Sequence, residues 1–220
     1  MMLEENMLVA HRSSDGSASV RMHRGFTLTE LMVTVAVAGV LAMVAVPNMR
    51  TFLQNNRLSS ASNDLLRSFN LARTEAIKHQ ANVVVCAVAD PTLAVPVCSY
   101  GPFKGWIVFQ DSGPPPWPGA SPWQFDAGEP IFERHVLLDT SVTVKKDNDG
   151  IEMYLATGFA SPAGVKNPTR NILLCDIRGD QAVGTNSVER AVLIPASGRA
   201  RVSATSADVA TARAAAGACP

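Results

Sequence analysis

The sequence has no excess of charge of either sign and lacks the motifs of common catalytic sites. Its 19 basic and 19 acidic residues give a formal net charge of zero. No global attraction therefore draws the chain to nucleic acid, and any such binding must be local. The four histidines show no metal-ligand spacing, and G-x-S-x-G, G-x-G-x-x-G and H-E-x-x-H are all absent. The inventory predicts a protein that is not an enzyme and holds neither metal nor cofactor.

Cysteine is scarce, and its spacing excludes a C-x-x-C redox motif or zinc knuckle. The four cysteines are Cys86, Cys98, Cys175 and Cys219. In a chain exported to an oxidising compartment this even number suggests two disulfides, with three possible connectivities. We favour Cys86 with Cys98, which closes a short loop rich in turn residues, and Cys175 with Cys219, which ties the last residues to a core strand. Each would contribute about 2–4 kcal/mol. Buried free thiols are the alternative.

One long apolar segment dominates what is present. Residues 26–46, FTLTELMVTVAVAGVLAMVAV, contain a single charge, Glu30. As a helix with about 1.5 Å rise per residue, this segment would be roughly 31 Å long, enough to cross a bilayer core. A secretory signal has a shorter apolar core with its cleavage site behind it. The segment is therefore predicted to stay in the mature protein.

The carboxylate of Glu30 is unusual in a membrane span. A charge at mid-bilayer costs about 2.5–3.5 kcal/mol on insertion scales, and less near the edge, where Glu30 lies. One interpretation is an edge residue that reaches the lipid headgroups. The other is a residue that meets a cation. Cleavage after Gly25 would give Phe26 a free ammonium, which a neighbouring copy of the helix could present to Glu30.

The segment Arg24–Leu31, RGFTLTEL, resembles the class III signal of type IV pilins and type II secretion pseudopilins. The resemblance implies that a prepilin peptidase cuts after Gly25 and methylates the new amino terminus at Phe26. It also implies that Glu30 is required for ordered assembly and that Pro47 kinks the helix. The leader would comprise residues 1–25 and face the cytoplasm, and residues 26–46 would be the transmembrane and assembly helix.

The helical pattern continues beyond the apolar segment, over residues 47–80. Leu65, Phe69, Ala72 and Ala76 follow the spacing i, i+4, i+7, i+11 and form one amphipathic stripe. We expect one long helix, bent at Pro47 because proline lacks the backbone donor. Its second half should lay this stripe on a globular domain.

From residue 82 onward the pattern changes to short β-branched or aromatic runs separated by Pro, Gly, Asp and Asn. The expected strands are residues 82–88, 105–110, 129–137, 142–144, 151–155, 171–175, 190–194 and 199–202. Residues 146–150, KDNDG, predict a hairpin turn and do not fit a calcium loop. The sequence therefore predicts an α+β fold, with a long N-terminal helix packed on antiparallel sheet. The proline-rich insert, residues 112–122, is expected to be extended, with Trp117 and Trp123 packing locally or docking a partner.

The order of these segments, from about Arg24 to Val202, resembles the FimT/FimU minor pilins of type IV pili and their secretion counterpart GspH. The resemblance implies the type IV pilin fold, a periplasmic β-rich domain over residues 81–203 and an unrelated Ala-rich tail over residues 204–220. It implies a minor pilin, in a tip complex that primes the filament, whose partners are other major and minor pilins, prepilin peptidase and the inner membrane. After assembly the chain would belong to an extracellular pilus. The alternative is a GspH-type pseudopilin of a type II secretion system.

Two arginines near the end of the domain predict a DNA contact. Arg199 and Arg201 lie two apart, so on a strand both would point to one face and could hold consecutive phosphates. In FimT-like pilins a C-terminal Gly-Arg-x-Arg element is associated with DNA binding, and Gly198–Arg201 matches it. The ligand would be double-stranded DNA, bound without sequence specificity. The alternative is a solvated edge strand whose charges prevent stray pairing. Further basic residues that would extend the patch are Arg213, Lys145 and Lys146.

Overall fold

The computed structural model describes residues 25–98, 103–112, 123–137, 141–147, 151–161 and 170–219. A long helix comes first, followed by nine described strands and a short C-terminal helix. The chain divides into two compact units, one ending at Val46 and one beginning at Pro47. The predicted α+β class, with its long N-terminal helix and antiparallel sheet, is confirmed.

Helix α1 runs from Leu28 to His79 without interruption, and Pro47 lies inside it. Every described residue from position 25 to position 53 is exposed. From Leu58 onward the helix buries one face, because apolar and small residues recur there every three or four positions. The buried set contains the whole predicted stripe: Leu58, Ala61, Ser62, Leu65, Ser68, Phe69, Ala72 and Ala76.

The strands form two antiparallel sheets. Their bounds are β1 Asn82–Val88, β2 Gly105–Asp111, β3 Ile131–Val136, β4 Thr143–Lys146, β5 Ile151–Tyr154, β6 Asn171–Cys175, β7 Ala182–Val183, β8 Asn186–Leu193 and β9 Arg201–Thr205. The first sheet has the order β3-β2-β1-β5, and the second has the order β4-β6-β8-β7 with β9 also paired to β8. Strand β1 is central in the first sheet and buried on both faces, which explains its nearly continuous run of valines.

The main core lies between the second half of α1 and both sheets. Phe69 from the helix, Trp106 from β2 and Ile172 from β6 belong to it. A second cluster lies on the other face of the first sheet and contains Phe109 and Trp123. Trp123 therefore packs within the domain, which was one of the two predictions for this residue; the other was docking to a partner. Trp117 and the rest of residues 113–122 lie outside the described residues.

The predicted hairpin turn over residues 146–150 is wrong. Strand β4 pairs with β6 in the second sheet, whereas β5 pairs with β1 in the first, so this connection carries the chain between sheets. The carboxylate of Asp147 accepts the backbone N–H groups of Arg170 and Asn171 at 2.8 and 3.0 Å. Asp147 therefore ties the end of β4 to the start of β6 and does not close a β4–β5 turn. Residues 148–150 lie outside the described residues.

The Ala-rich tail predicted over residues 204–220 contains a helix in the structure. Helix α2, Ser206–Ala216, begins directly after β9, and the side chain of Thr205 caps it by accepting the N–H of Asp208. Val209 and Ala212 are buried against the second sheet. The segment therefore packs on the domain through these two side chains.

Candidate functional site

The N-terminal segment has a defined boundary between extended chain and helix. Residues 25–27 are not helical, and α1 begins at Leu28. The side-chain oxygen of Thr27 accepts the N–H of Glu30 at 3.2 Å, and its carbonyl accepts the N–H of Leu31 at 3.1 Å. Thr27 is thus the helix cap, and the Gly25–Phe26 bond lies outside the helix. Glu30 lies in the first turn, where the helix dipole favours a carboxylate.

Nothing in the described chain covers the apolar surface of this segment. Phe26 is 77% exposed and Met43 is 79% exposed. Helix α1 is long and apolar enough to cross a membrane, and its apolar part is buried against no other described residue. An apolar surface of this size marks contact with lipid or with other helices.

The carboxylate of Glu30 has no partner in the described part of the chain. Its backbone N–H is bound by Thr27, but none of the described residues donates a hydrogen bond or an ion pair to its side chain. A cation that neutralises Glu30 must therefore come from outside these residues.

The four cysteines form the two disulfides favoured from the sequence. Cys86 bonds to Cys98 across a Cα–Cα distance of 5.5 Å, and Cys175 bonds to Cys219 across 6.1 Å. The first closes the loop that leaves β1. The second joins the end of β6 to the residues that follow α2.

The two candidate DNA-binding arginines do not share a strand face, so that part of the prediction is wrong. Strand β9 begins at Arg201, and Arg199 precedes it. The guanidinium of Arg201 binds both carboxylate oxygens of Asp208, at 2.8 and 3.1 Å. This hydrogen bonding holds the pKa of the Asp208 carboxyl below its usual range and raises the pKa of Arg201. The charge of Arg201 is therefore already neutralised within the chain.

The other cations named for this patch lie elsewhere. Arg213 binds the buried carboxylate of Glu189 at 2.6 Å and lies 3.5 Å from Asp180. Lys145 and Lys146 are on β4, and β6 and β8 separate that strand from β9. The structure therefore does not assemble these basic residues into one surface.

A tight turn at Gly198 explains why the strand starts late. Gly198 has φ +75°, and a Cβ there would lie 2.5 Å from the carbonyl oxygen of Gly158. Only glycine fits this close approach, and the turn leaves Arg199 exposed. Arg199 makes no hydrogen bond or ion pair with the described residues. The dipeptide Ser197-Gly198 was the turn signal that the strand assignment overlooked.

Comparison with known families identifies two segments of the chain. The family model described as "Type II transport protein GspH" matches residues 61–204, most of the domain that carries both sheets. The chain belongs to the GspH family. The prokaryotic N-terminal methylation motif matches residues 20–46, which contain Gly25, Phe26 and Glu30.

Individual relatives of the chain include pilins. The chain is 46% identical to the type IV major pilin PilA of Myxococcus xanthus (strain DK1622) over 43 residues. These 43 residues are 20% of each protein. The chain therefore spans about a fifth of the length of this curated relative. It is also similar to crystal structures of the type IV minor pilin FimU of Pseudomonas aeruginosa. These are 19% identical and give TM-scores of 0.45 and 0.42, over 69% and 66% of this chain and 92% of each FimU chain.

The predicted family is therefore confirmed: the protein is a GspH-like member of the type IV minor pilins and pseudopilins. Its N-terminal apolar helix is that of a membrane-anchored pilin. A pilus subunit and a secretion pseudopilin fit these matches equally well.

Proposed function

We propose that the chain is a minor pilin of a type IV pilus, and that it is a structural subunit and not an enzyme. Before assembly its helix lies in the inner membrane and its domain lies in the periplasm. After assembly it occupies the tip complex that primes the filament. The observation that carries this proposal is an apolar helix that no described residue covers. Its first turn holds the carboxylate of Glu30, which lies within the methylation motif and pairs with none of the described residues.

The assembly step follows from the chemistry of the first five residues after the cut. Cleavage after Gly25 frees the amino group of Phe26, and a separate methyl transfer then converts it to a secondary amine that stays protonated and charged. In the filament both this ammonium and the carboxylate of Glu30 leave water or headgroups. Each would bear a desolvation cost alone, and pairing between neighbouring subunits offsets that cost. The remaining apolar side chains of α1 exchange lipid contacts for helix contacts.

Processing gives the most direct test of this function. We expect the mature chain to begin at N-methylated Phe26 and to lack residues 1–25. Substitution Gly25→Leu should leave nearly all of the chain uncut, because the peptidase recognises the small residue before the bond. An added Cβ at position 25 meets nothing within 4 Å, so the fold itself should not be disturbed. Intact-mass spectrometry of the protein from its native host measures both outcomes.

The matched control is Gly39→Ala, because an added Cβ at Gly39 also meets nothing within 4 Å. This variant should be cut as the unmodified chain is. A native amino terminus other than Phe26, or normal cutting of Gly25→Leu, would contradict the proposal.

The family match also supports a second candidate, a GspH-type pseudopilin of a type II secretion system. Cleavage and assembly through the helix would be the same, and the two candidates would differ only in whether the subunit belongs to a pilus or to a secretion system. Deletion of the gene separates the two. Loss of surface pili with normal protein secretion supports the pilin, and loss of secretion with normal pili supports the pseudopilin.

Weak binding of double-stranded DNA is proposed as an accessory function, because Arg199 is exposed and unpaired among the described residues. Arg199→Ala should weaken binding roughly two- to tenfold at low salt, the loss of one phosphate contact. Arg201→Ala should have a smaller effect, since Asp208 already neutralises Arg201. Asp208→Asn should instead strengthen binding by releasing Arg201. Fluorescence anisotropy of a labelled duplex with the full chain in detergent measures these changes, and unchanged affinity in Arg199→Ala would remove the DNA proposal.

A further inference from the structure

Helix α2 covers the face of the second sheet that points away from α1. On strand β6, Ile172 and Leu174 belong to the main core, whereas Leu173 and Cys175 belong to a separate cluster with Val209 and Ala212 of α2. Ala191 of β8 completes this cluster. The GspH match ends at residue 204, so α2 lies beyond the matched domain. We call α2 together with residues 217–219 the C-terminal cover.

The noncovalent hold on the C-terminal cover is slight. Only Val209 and Ala212 of α2 are buried. A helix of 11 residues is too short to be stable by itself in water. The ion pair between Arg201 and Asp208 is largely exposed, with side chains 57% and 28% accessible, and such pairs contribute little.

The second ion pair is buried but does little more to hold the cover closed. Glu189 is fully buried, and its Oε2 accepts from Arg213 at 2.6 Å. Glu189 Oε1 and Arg213 Nε have no hydrogen-bond partner among the described residues. Release of α2 would return both charged groups to water, so the lost attraction is largely offset by recovered hydration.

Two weaker restraints also hold α2: an exposed ion pair between Arg213 and Asp180 at 3.5 Å, and two hydrogen bonds from Ser206, at the start of the helix, to the carbonyl of Thr185 at 3.0 Å. The covalent bond from Cys175 to Cys219 is therefore the main restraint on the end of the cover.

We propose that the Cys175–Cys219 disulfide is a redox latch. Its reduction frees residues 206–219 and uncovers the outer face of the second sheet, while the rest of the domain stays folded. The newly exposed surface would contain Leu173, Ala191 and Leu193, and Arg201 would lose its carboxylate partner. The oxidation state of this disulfide therefore decides whether α2 covers the outer face of the second sheet.

The reducing agent is a dithiol, and the reaction balances as two successive exchanges. Cys219 is partly exposed and Cys175 is fully buried, so a thiolate of the dithiol attacks the sulfur of Cys219. Cys175 leaves as a thiolate and takes up a proton. The second thiolate of the reagent then attacks the reagent sulfur of the mixed disulfide, and Cys219 leaves as a thiolate that takes up a proton. The reagent is oxidised to a cyclic disulfide, and its two electrons have reduced the protein disulfide.

Hydrogen–deuterium exchange of the full chain in detergent micelles, with and without dithiothreitol, tests the latch. In the oxidised chain the amides of residues 206–216 should exchange at least about tenfold more slowly than in the reduced chain. Strands β1, β2 and β8 should keep their protection in both states. The variant Cys219→Ser should behave as the reduced chain does without any reagent.

The matched control is the double variant Cys86→Ser/Cys98→Ser, which removes the other disulfide. Its α2 amides should stay protected until dithiothreitol is added. The latch is overturned if α2 keeps its protection after reduction. It is equally overturned if protection is lost through β1, β2 and β8 together, because the bond would then hold the whole domain and not the cover alone.

Discussion

Substitution Glu30→Ala is expected to abolish incorporation into filaments while leaving membrane insertion and cleavage after Gly25 unchanged. Glu30 is exposed, and its carboxylate makes no hydrogen bond or ion pair with a described residue, so the fold should not depend on it. In a filament, its loss would leave the ammonium of a neighbouring Phe26 buried and unpaired. Breaking a buried pair costs about 3–5 kcal/mol, which lowers incorporation by roughly two orders of magnitude or more. Shearing of pili followed by immunoblotting of the filament fraction measures the loss.

Two further variants separate this mechanism from a general effect of altering the helix. Glu30→Gln keeps the size of the side chain and should fail as the alanine variant does, because the charge is what pairs. Glu75→Gln removes a carboxylate from the same helix. Glu75 is 14% accessible and lies 3.3 Å from Lys78 and 3.0 Å from His79, both of which are exposed, and the glutamine keeps its size and an acceptor oxygen, so this variant should assemble normally. Wild-type amounts of Glu30→Ala in sheared pili would refute the pairing mechanism.

Substitution Trp106→Ala is expected to cause the largest loss of stability. Trp106 is 1% exposed, and its indole N–H donates to the hydroxyl of Ser68 on α1 at 2.8 Å. Its ring stacks on His135 with the ring centroids 4.0 Å apart. Truncation to alanine removes these contacts and leaves a cavity between the helix and the first sheet. The free energy of unfolding should fall by about 3–5 kcal/mol, measured by urea denaturation of the full chain in detergent.

A conservative substitution of Trp106 and a substitution of an exposed residue are the controls for the loss of stability in Trp106→Ala. Trp106→Phe retains most of the apolar contact and loses the hydrogen bond, so it should cost about 1–2 kcal/mol. Leu93→Ala changes an apolar side chain that is 50% exposed, and its effect should lie within about 0.5 kcal/mol. An alanine variant of Trp106 with no greater loss than Leu93→Ala would show that this contact does not hold the helix on the sheet.

The N-terminal half of the site could be predicted because its determinants are local. Gly25, Phe26 and Glu30 act within one short segment, and the length of the apolar run follows directly from the order of residues. The apolar stripe on α1 could be predicted in the same way, because Leu65 and Phe69 are four positions apart and therefore lie on one face of a helix. Processing at Gly25 and the bend at Pro47 stay predictions that the fold does not test.

The C-terminal half was harder because its determinants are distant in sequence. Gly198 forms its turn against Gly158, and that contact moves the start of β9 to Arg201. The partner of Arg201 is Asp208, on a helix that alanine composition alone did not reveal. A pattern of alternating residues shows that a strand is possible, but not where a neighbouring backbone forces it to begin.

The order of residues was enough to predict the protein family, the long apolar helix and the stripe that faces the domain, because each depends on spacing along a single element or on a short motif. The cysteine pairing was a choice among three connectivities, which the structure resolved. Three features became visible only in the folded chain: β4 and β5 lie in different sheets, α2 covers the second sheet, and Asp208 pairs with Arg201. Strand pairing and ion pairing join residues far apart in the chain, and many pairings satisfy the same local pattern. The packing of the whole domain selects among them.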